Sequence, residues 1–138
     1  MLVNESKVQT LVSVTISRKG VTKLHGRRNK SIEKELQTTL DNGGNVWVIG
    51  DIHGHADTLV ALLNSLDLHI KDRVVLLGDL VDRGPKSCEV IRIARDSSHI
   101  FSVLGNHEEM MLLNFDAANI ETMNAQQSSW FYVGGRAT

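Results

Sequence analysis

The chain has little cysteine, little proline and no long apolar run. Its 138 residues hold one cysteine, Cys88, so no disulfide can form within it. That excludes the disulfide-stapled secreted scaffolds and leans towards a reducing compartment. One proline and 11 glycines exclude collagen-like and Pro/Gly-rich disordered chains. Apolar runs such as Val74–Leu77 fall far short of the roughly 18 residues of a membrane span. The N-terminus has neither the charged start nor the apolar stretch of a signal peptide. Charge of one sign is also lacking: 15 basic residues against 16 acidic ones give a net −1, with no excess to recruit nucleic acid or a membrane. What is present is 41% hydrophobic residues, enough to fill a core. The expectation is a soluble, cytoplasmic chain of domain size.

The balance hides an asymmetry. Residues 1–45 carry eight Lys/Arg against four Asp/Glu, a net +4, and residues 46–138 carry seven against twelve, a net −5. Asp41-Asn42-Gly43-Gly44-Asn45 between them is a strong turn signal. We therefore divide the chain into a partly basic extension, residues 1–44, and a second unit, residues 45–138. In the extension, Val12, Val14 and Ile16 alternate with polar residues and predict one strand. Arg18 to Lys30 is basic and aperiodic and reads as a loop or arm. Ile32, Leu36 and Leu40 then predict a short helix, with Ser31 as its N-cap.

The second unit is more regular. Val46–Ile49, Val74–Leu77 and Ile100–Leu104 are apolar runs, each followed by a glycine. Leu59, Leu62, Leu63 and Leu66 mark one helix face after the first run. Pro85 suits the first turn of a second helix, carried by Val90, Ile91, Ile93 and Ala94. A third follows with Met110–Leu113. Trp47 and Cys88 read as packing residues. The order β-α-β-α-β-α, with strands apolar on both sides, predicts an α/β fold with a covered parallel sheet and right-handed crossovers.

A dense polar cluster follows each run: Gly50-Asp51-Ile52-His53-Gly54, then Gly78-Asp79-Leu80-Val81-Asp82-Arg83-Gly84, then Gly105-Asn106-His107-Glu108. Sites on parallel sheets lie beyond the carboxyl ends of the strands. Asp51 to Asp79 is 28 residues and Asp79 to Asn106 is 27, about one β-α repeat each, so the three loops should meet at one edge. Carboxylate, imidazole and amide oxygen together form the ligand set of a hard or borderline divalent metal. Crowded carboxylates repel unless a cation compensates. An arginine offers a planar fork to phosphate oxygens.

Taken singly, each cluster has a plain reading. A Gly-Asp after a strand is commonly a turn, and Asn-His-Glu a helix start capped by Asn106. Shared position and shared period favour a site. His25, His69 and His99 stand alone and read as incidental, and His55 as non-catalytic. The Arg27–Lys30 stretch reads as a solvated loop rather than a contact for an anionic partner.

The three motifs, in this order and spacing, resemble the phosphoprotein phosphatase (PPP) family of serine/threonine phosphatases, within the calcineurin-like metallophosphoesterases. The bacterial and phage-type members are the most similar, and Trp130 with Gly134-Gly135-Arg136 resembles a further segment of them. The resemblance covers about residues 45–136. It implies the N-terminal β-α-β-α-β half of a metallophosphoesterase αββα sandwich. It implies two divalent metal ions, with manganese first and iron or zinc as the other choices. Asp51 and His53 would bind the first metal, Asp79 would bridge, and Asn106 would bind the second metal and face the substrate phosphate. His107 would act as general acid with Asp82 hydrogen-bonded behind it, and Arg83 would hold the phosphate. Such an enzyme would hydrolyse phosphate monoesters in a phosphoprotein or phosphopeptide, by in-line attack of a metal-activated water.

The resemblance also implies two metal-binding histidines and an arginine further downstream, and no histidine follows His107. The expectation is a C-terminally truncated, weakly active or inactive fragment. Two rival readings stand beside the protein phosphatase. One is a dinucleoside-tetraphosphate or other nucleotide phosphohydrolase, against which Asp82 and the Asn-His-Glu form of the third motif count. The other is a non-catalytic metal-binding or interaction module.

Overall fold

The computed structural model describes residues 13–17, 20–25, 28–114 and 125–138, the first two stretches by their backbone. The element order is β1 (Ser13–Ser17), β2 (Gly20–His25), α1 (Lys30–Asp41), β3 (Val46–Ile49), α2 (Ala56–Ser65), β4 (Arg73–Leu76), α3 (Ser87–Asp96), β5 (Ile100–Ser102), α4 (Asn106–Asn114) and α5 (Ala125–Tyr132), closed by a short 3₁₀ turn at Gly135–Ala137.

The N-terminal stretch corrects one expectation. Gly20–His25 is not a loop but a strand, paired antiparallel with β1. Val21 and Leu24 are three residues apart, so no period-two pattern shows in the sequence. The register explains this: Ile16 pairs with Val21 and Val14 with Leu24, with a bulge between. The extra residue of the bulge absorbs the broken alternation. Val12 lies outside the described residues.

Helix α1 forms as expected but starts earlier. Its cap is Asn29, whose Oδ1 accepts from the N–H groups of Ser31 and Ile32, so Ser31 is already inside the helix. Asparagine is as good a cap as serine, and it stands where the backbone turns extended. Ile32 and Thr39 are buried and Leu40 is exposed, so the inward face runs Ile32–Leu36–Thr39. Arg73 Nε donates to Glu35 Oε1 at 2.9 Å and ties α1 to the first residue of β4.

The sheet is parallel, in the order β3-β4-β5, with Val48 facing Val75 and Val75 facing Phe101 in register. The central strand β4 is buried on both sides at Val74, Val75 and Leu76. The outer strand β3 is not: Val48 is 59% exposed. Leu59 of α2 and Val90 of α3 anchor the core, with Leu63, Ile91 and Ala94 packed against it. Burying side chains of this size contributes about 1.5–3 kcal/mol each. Leu62, expected on the same face, is exposed. Pro85 precedes α3 by two residues rather than entering its first turn. Cys88 is exposed, contrary to expectation, because Ser87 and Val90 take the inward face and a helix turns about 100° per residue. Trp47 is half-buried against the core, and its indole N–H reaches Asp72 at 3.3 Å. No helix among the described residues is long and apolar enough to cross a membrane.

Candidate metal centre

The three loops beyond β3, β4 and β5 meet at one edge, held by main-chain bonds. The N–H groups of Ile52 and His53 donate to the Asp79 carbonyl at 3.1 and 2.8 Å, and that of Gly54 to Leu80 at 2.8 Å. Gly84 N–H returns to the His53 carbonyl at 2.9 Å. The third loop joins through His107 N–H, which donates to Asp79 Oδ1 at 3.1 Å.

These turns require unusual backbone. Among the described residues, His53, Asp67, Asp79, Asp82 and Arg83 are the non-glycine residues with positive φ, and four of the five belong to the motifs. Left-handed backbone in such residues costs on the order of 1–3 kcal/mol each and persists only where surroundings enforce it. The strain places the side chains of His53, Asp79, Asp82 and Arg83 on the site.

One ligand atom from each of His53, Asp79 and His107 lies within 4.8 Å of the others. The two imidazoles stand edge to face, 4.6 Å between centroids. Their tautomers follow from their partners. His53 Nδ1 lies 2.9 Å from the Val81 carbonyl, which only accepts, so Nδ1 carries the proton. His107 Nδ1 likewise donates to Asp82 Oδ2 at 2.8 Å. Each ring is thereby fixed by an outer partner and turns Nε2 towards the shared space, as metal-ligating histidines do. Asp51 Oδ2 lies 3.6 Å from His53 Nε2, with its side chain 69% exposed. Carboxylate oxygens and two oriented Nε2 atoms in one small space fit a divalent cation of the manganese, iron or zinc kind. Arg83 reaches the same lone pairs: Nη1 is 2.8 Å from His53 Nε2 and Nη2 is 3.2 Å from His107 Nε2.

The family model of the calcineurin-like phosphoesterases matches residues 44–137. The chain belongs to this family. Serine/threonine-protein phosphatase 2 of Escherichia coli is 38% identical over 88 residues, 63% of this chain and 40% of that protein. Serine/threonine-protein phosphatase 1 of Salmonella typhimurium is 38% identical over 95 residues, 68% of this chain and 40% of that protein. A symmetrical bis(5'-nucleosyl)-tetraphosphatase of Coxiella burnetii is 36% identical over 85 residues, 61% of this chain and 29% of that protein. The chain thus spans 40% or less of the length of these relatives.

Set against the family motifs, the structure brings His53, Asp79, Asp82, Arg83 and His107 together and sets Asp51 beside them. Asn106 is exposed at the first turn of α4, and none of the described hydrogen bonds uses its side chain. The close group of imidazole and carboxylate atoms is His53, Asp79 and His107, and Asn106 stands exposed at the start of α4, next to His107 in sequence.

Three residues have contacts that the motifs did not announce. Glu108 is buried, and its carboxylate accepts from the main-chain N–H groups of Asp79, Leu80, Val81 and Gly105 at 2.7–3.1 Å. The bond to Gly105 N–H is the return half of a capping box, three residues into the helix. That spacing, Gly105 to Glu108 before an apolar run, was readable in the sequence. Thr138 and Trp130 both reach Asp82, across 56 and 48 residues. No local pattern announces contacts at such separations.

Proposed function

We propose that this site hydrolyses phosphate esters, with the phosphoserine and phosphothreonine of proteins as substrate class. The observation that carries the reading is the Asp82–His107 pair. Both side chains are buried, Asp82 completely, and the 2.8 Å bond leaves His107 Nε2 facing the cluster around Asp79. A histidine so held, once Nε2 is also protonated, can deliver that proton to the alkoxide that leaves phosphorus and return to the Nδ1–H form, and an alkoxide needs such an acid.

Asp51, His53, Asp79 and Asn106 would hold two divalent ions, manganese first. Bound there, the ions supply Lewis acidity and an acidified water for in-line attack at phosphorus. Asp79 would serve both ions, a role supported by the fixing of its N–H by Glu108 and of its Oδ1 by His107 N–H. Arg83 would release the imidazoles and turn its fork to the phosphate oxygens, with Asn106 as a second contact. In this reading residues 45–138 belong to the phosphoesterase unit and residues 1–44 are an extension to it, and the protein acts on cytoplasmic phosphoproteins.

A second reading, hydrolysis of dinucleoside tetraphosphates, is favoured by the 36% identity to a bis(5'-nucleosyl)-tetraphosphatase. The test offers a phosphothreonine peptide and diadenosine tetraphosphate in parallel to the manganese-loaded protein, with Asp79→Asn as control. Faster release of phosphate from the peptide, abolished in the control, supports the proposal. Preference for the dinucleotide establishes the second reading. Turnover of neither, beside Mn²⁺ binding that Asp79→Asn abolishes, fits a weakly active or inactive fragment; turnover unaffected by the substitution, or no Mn²⁺ binding, overturns both and leaves an interaction module.

A further inference from the structure

The segment Trp130–Thr138 touches the site at its most strained point. Asp82 and Arg83 are consecutive left-handed residues, with φ of 70° and 65°. Apart from His53 and His107, the side chains and main chain that hold this pair from outside its own loop belong to that segment or to Ser87. Trp130 Nε1–H donates to Asp82 Oδ2 at 2.8 Å, the same oxygen that receives His107 Nδ1–H. Thr138 Oγ1–H donates to Asp82 Oδ1 at 2.6 Å, and the same oxygen atom of Thr138 accepts from Asp82 N–H at 2.8 Å. Ser87 Oγ, 3.1 Å from Thr138 Oγ1, completes the network as donor. Arg83 N–H donates to the Gly134 carbonyl at 3.1 Å.

The packing is as close as the hydrogen bonding. A Cβ on Gly134 would meet Arg83 N at 2.9 Å, and one on Gly135 would meet the Trp130 ring at 2.6 Å. Only glycines let the segment lie this near the Asp82–Arg83 turn. The buried carboxylate of Asp82 thus has three donors, two of them from residues 48 and 56 positions away. A carboxylate with both oxygens occupied cannot rotate, so its bond to His107 has one direction.

We propose that Trp130 and Thr138 are positioning residues: they lock the Asp82 carboxylate, and through it the ring orientation and tautomer of His107. Their effect reaches the proton-delivering Nε2 of His107 without either residue touching substrate. The catalytic consequence rests on the phosphatase reading, but the locking itself does not.

The experiment therefore reads the imidazole rather than turnover. Thr138→Val removes the hydroxyl and keeps the shape, Trp130→Phe removes the indole N–H, and Thr138→Ser restores the hydroxyl. Histidine side-chain ¹H–¹⁵N spectra of the metal-free chain at one fixed pH report the His107 tautomer. Thr138→Val and Trp130→Phe are expected to lose the single His107 Nδ1–H tautomer. Thr138→Ser should match the wild type. An unchanged His107 signal in both folded variants overturns the proposal. So does unfolding of both variants alongside a folded Thr138→Ser, which would make the pair general core. If only Thr138→Val unfolds, Trp130→Phe decides. Turnover unaffected by Asp79→Asn, with a Thr138-dependent tautomer, would sink the functional reading and leave the positioning role standing.

Discussion

The carboxylate of Glu108 reaches back from the first turn of α4 to the main-chain N–H of Asp79, 2.8 Å away. The same carboxylate takes the N–H groups of Leu80, Val81 and Gly105. A buried anion here joins the second loop to the third. Glu108→Gln keeps the shape but sets an amide donor against main-chain donors. An unmet buried group costs about 1–3 kcal/mol. Urea unfolding should show a stability loss of that order, and an unchanged midpoint would refute the role.

Gly105 lies directly under Asp79. A Cβ there would collide with Asp79 N and Oδ1 and come within 2.8 Å of Glu108 Oε2. The main chain of Asp79 cannot give way without moving the carboxylate. Gly105→Ala should cost about 1–3 kcal/mol of stability, as overpacking does. It should also weaken Mn²⁺ binding followed by electron paramagnetic resonance. Wild-type affinity in this variant would show that Asp79 does not need its present position.

Acid should loosen the fold at Asp72. The N–H of Asn45, foremost, then the Trp47 indole and the His69 N–H hold this carboxyl below its ordinary range, against the opposing effect of burial. A folded pKa below the unfolded one gives stability that is present above the unfolded value, about 3.9, and lost as pH falls through the folded value. The urea midpoint should therefore drop on acidification below about pH 4. Asp72→Asn should flatten that limb, and an identical acid limb in the variant would count against this assignment.

Much of the site was legible because its chemistry sits in local sequence. A short apolar run, a glycine and a polar cluster describe a strand end and its loop without tertiary knowledge, and three such units at one period predict convergence. Identities at single positions were less legible. Asn29 rather than Ser31 caps α1, because both are good caps and only the packing of Ile32 decides. The strand at Gly20–His25 was hidden by a bulge that shifts its apolar residues out of phase. In the first turn of α4 Asn106 is exposed and its neighbour His107 buried, a difference the third motif does not announce. The grip of Trp130 and Thr138 on Asp82 depends on contacts some fifty residues apart, which no window of sequence contains.

The central claim is that the strand-end loops form a divalent cation site with Asp79 at its middle. Calorimetric titration of Mn²⁺ into the full chain, wild type beside Asp79→Asn, tests it most directly. The account predicts a measurable binding heat in the wild type and an affinity at least about tenfold lower in the variant. Equal heats and equal affinities in the two proteins would contradict it.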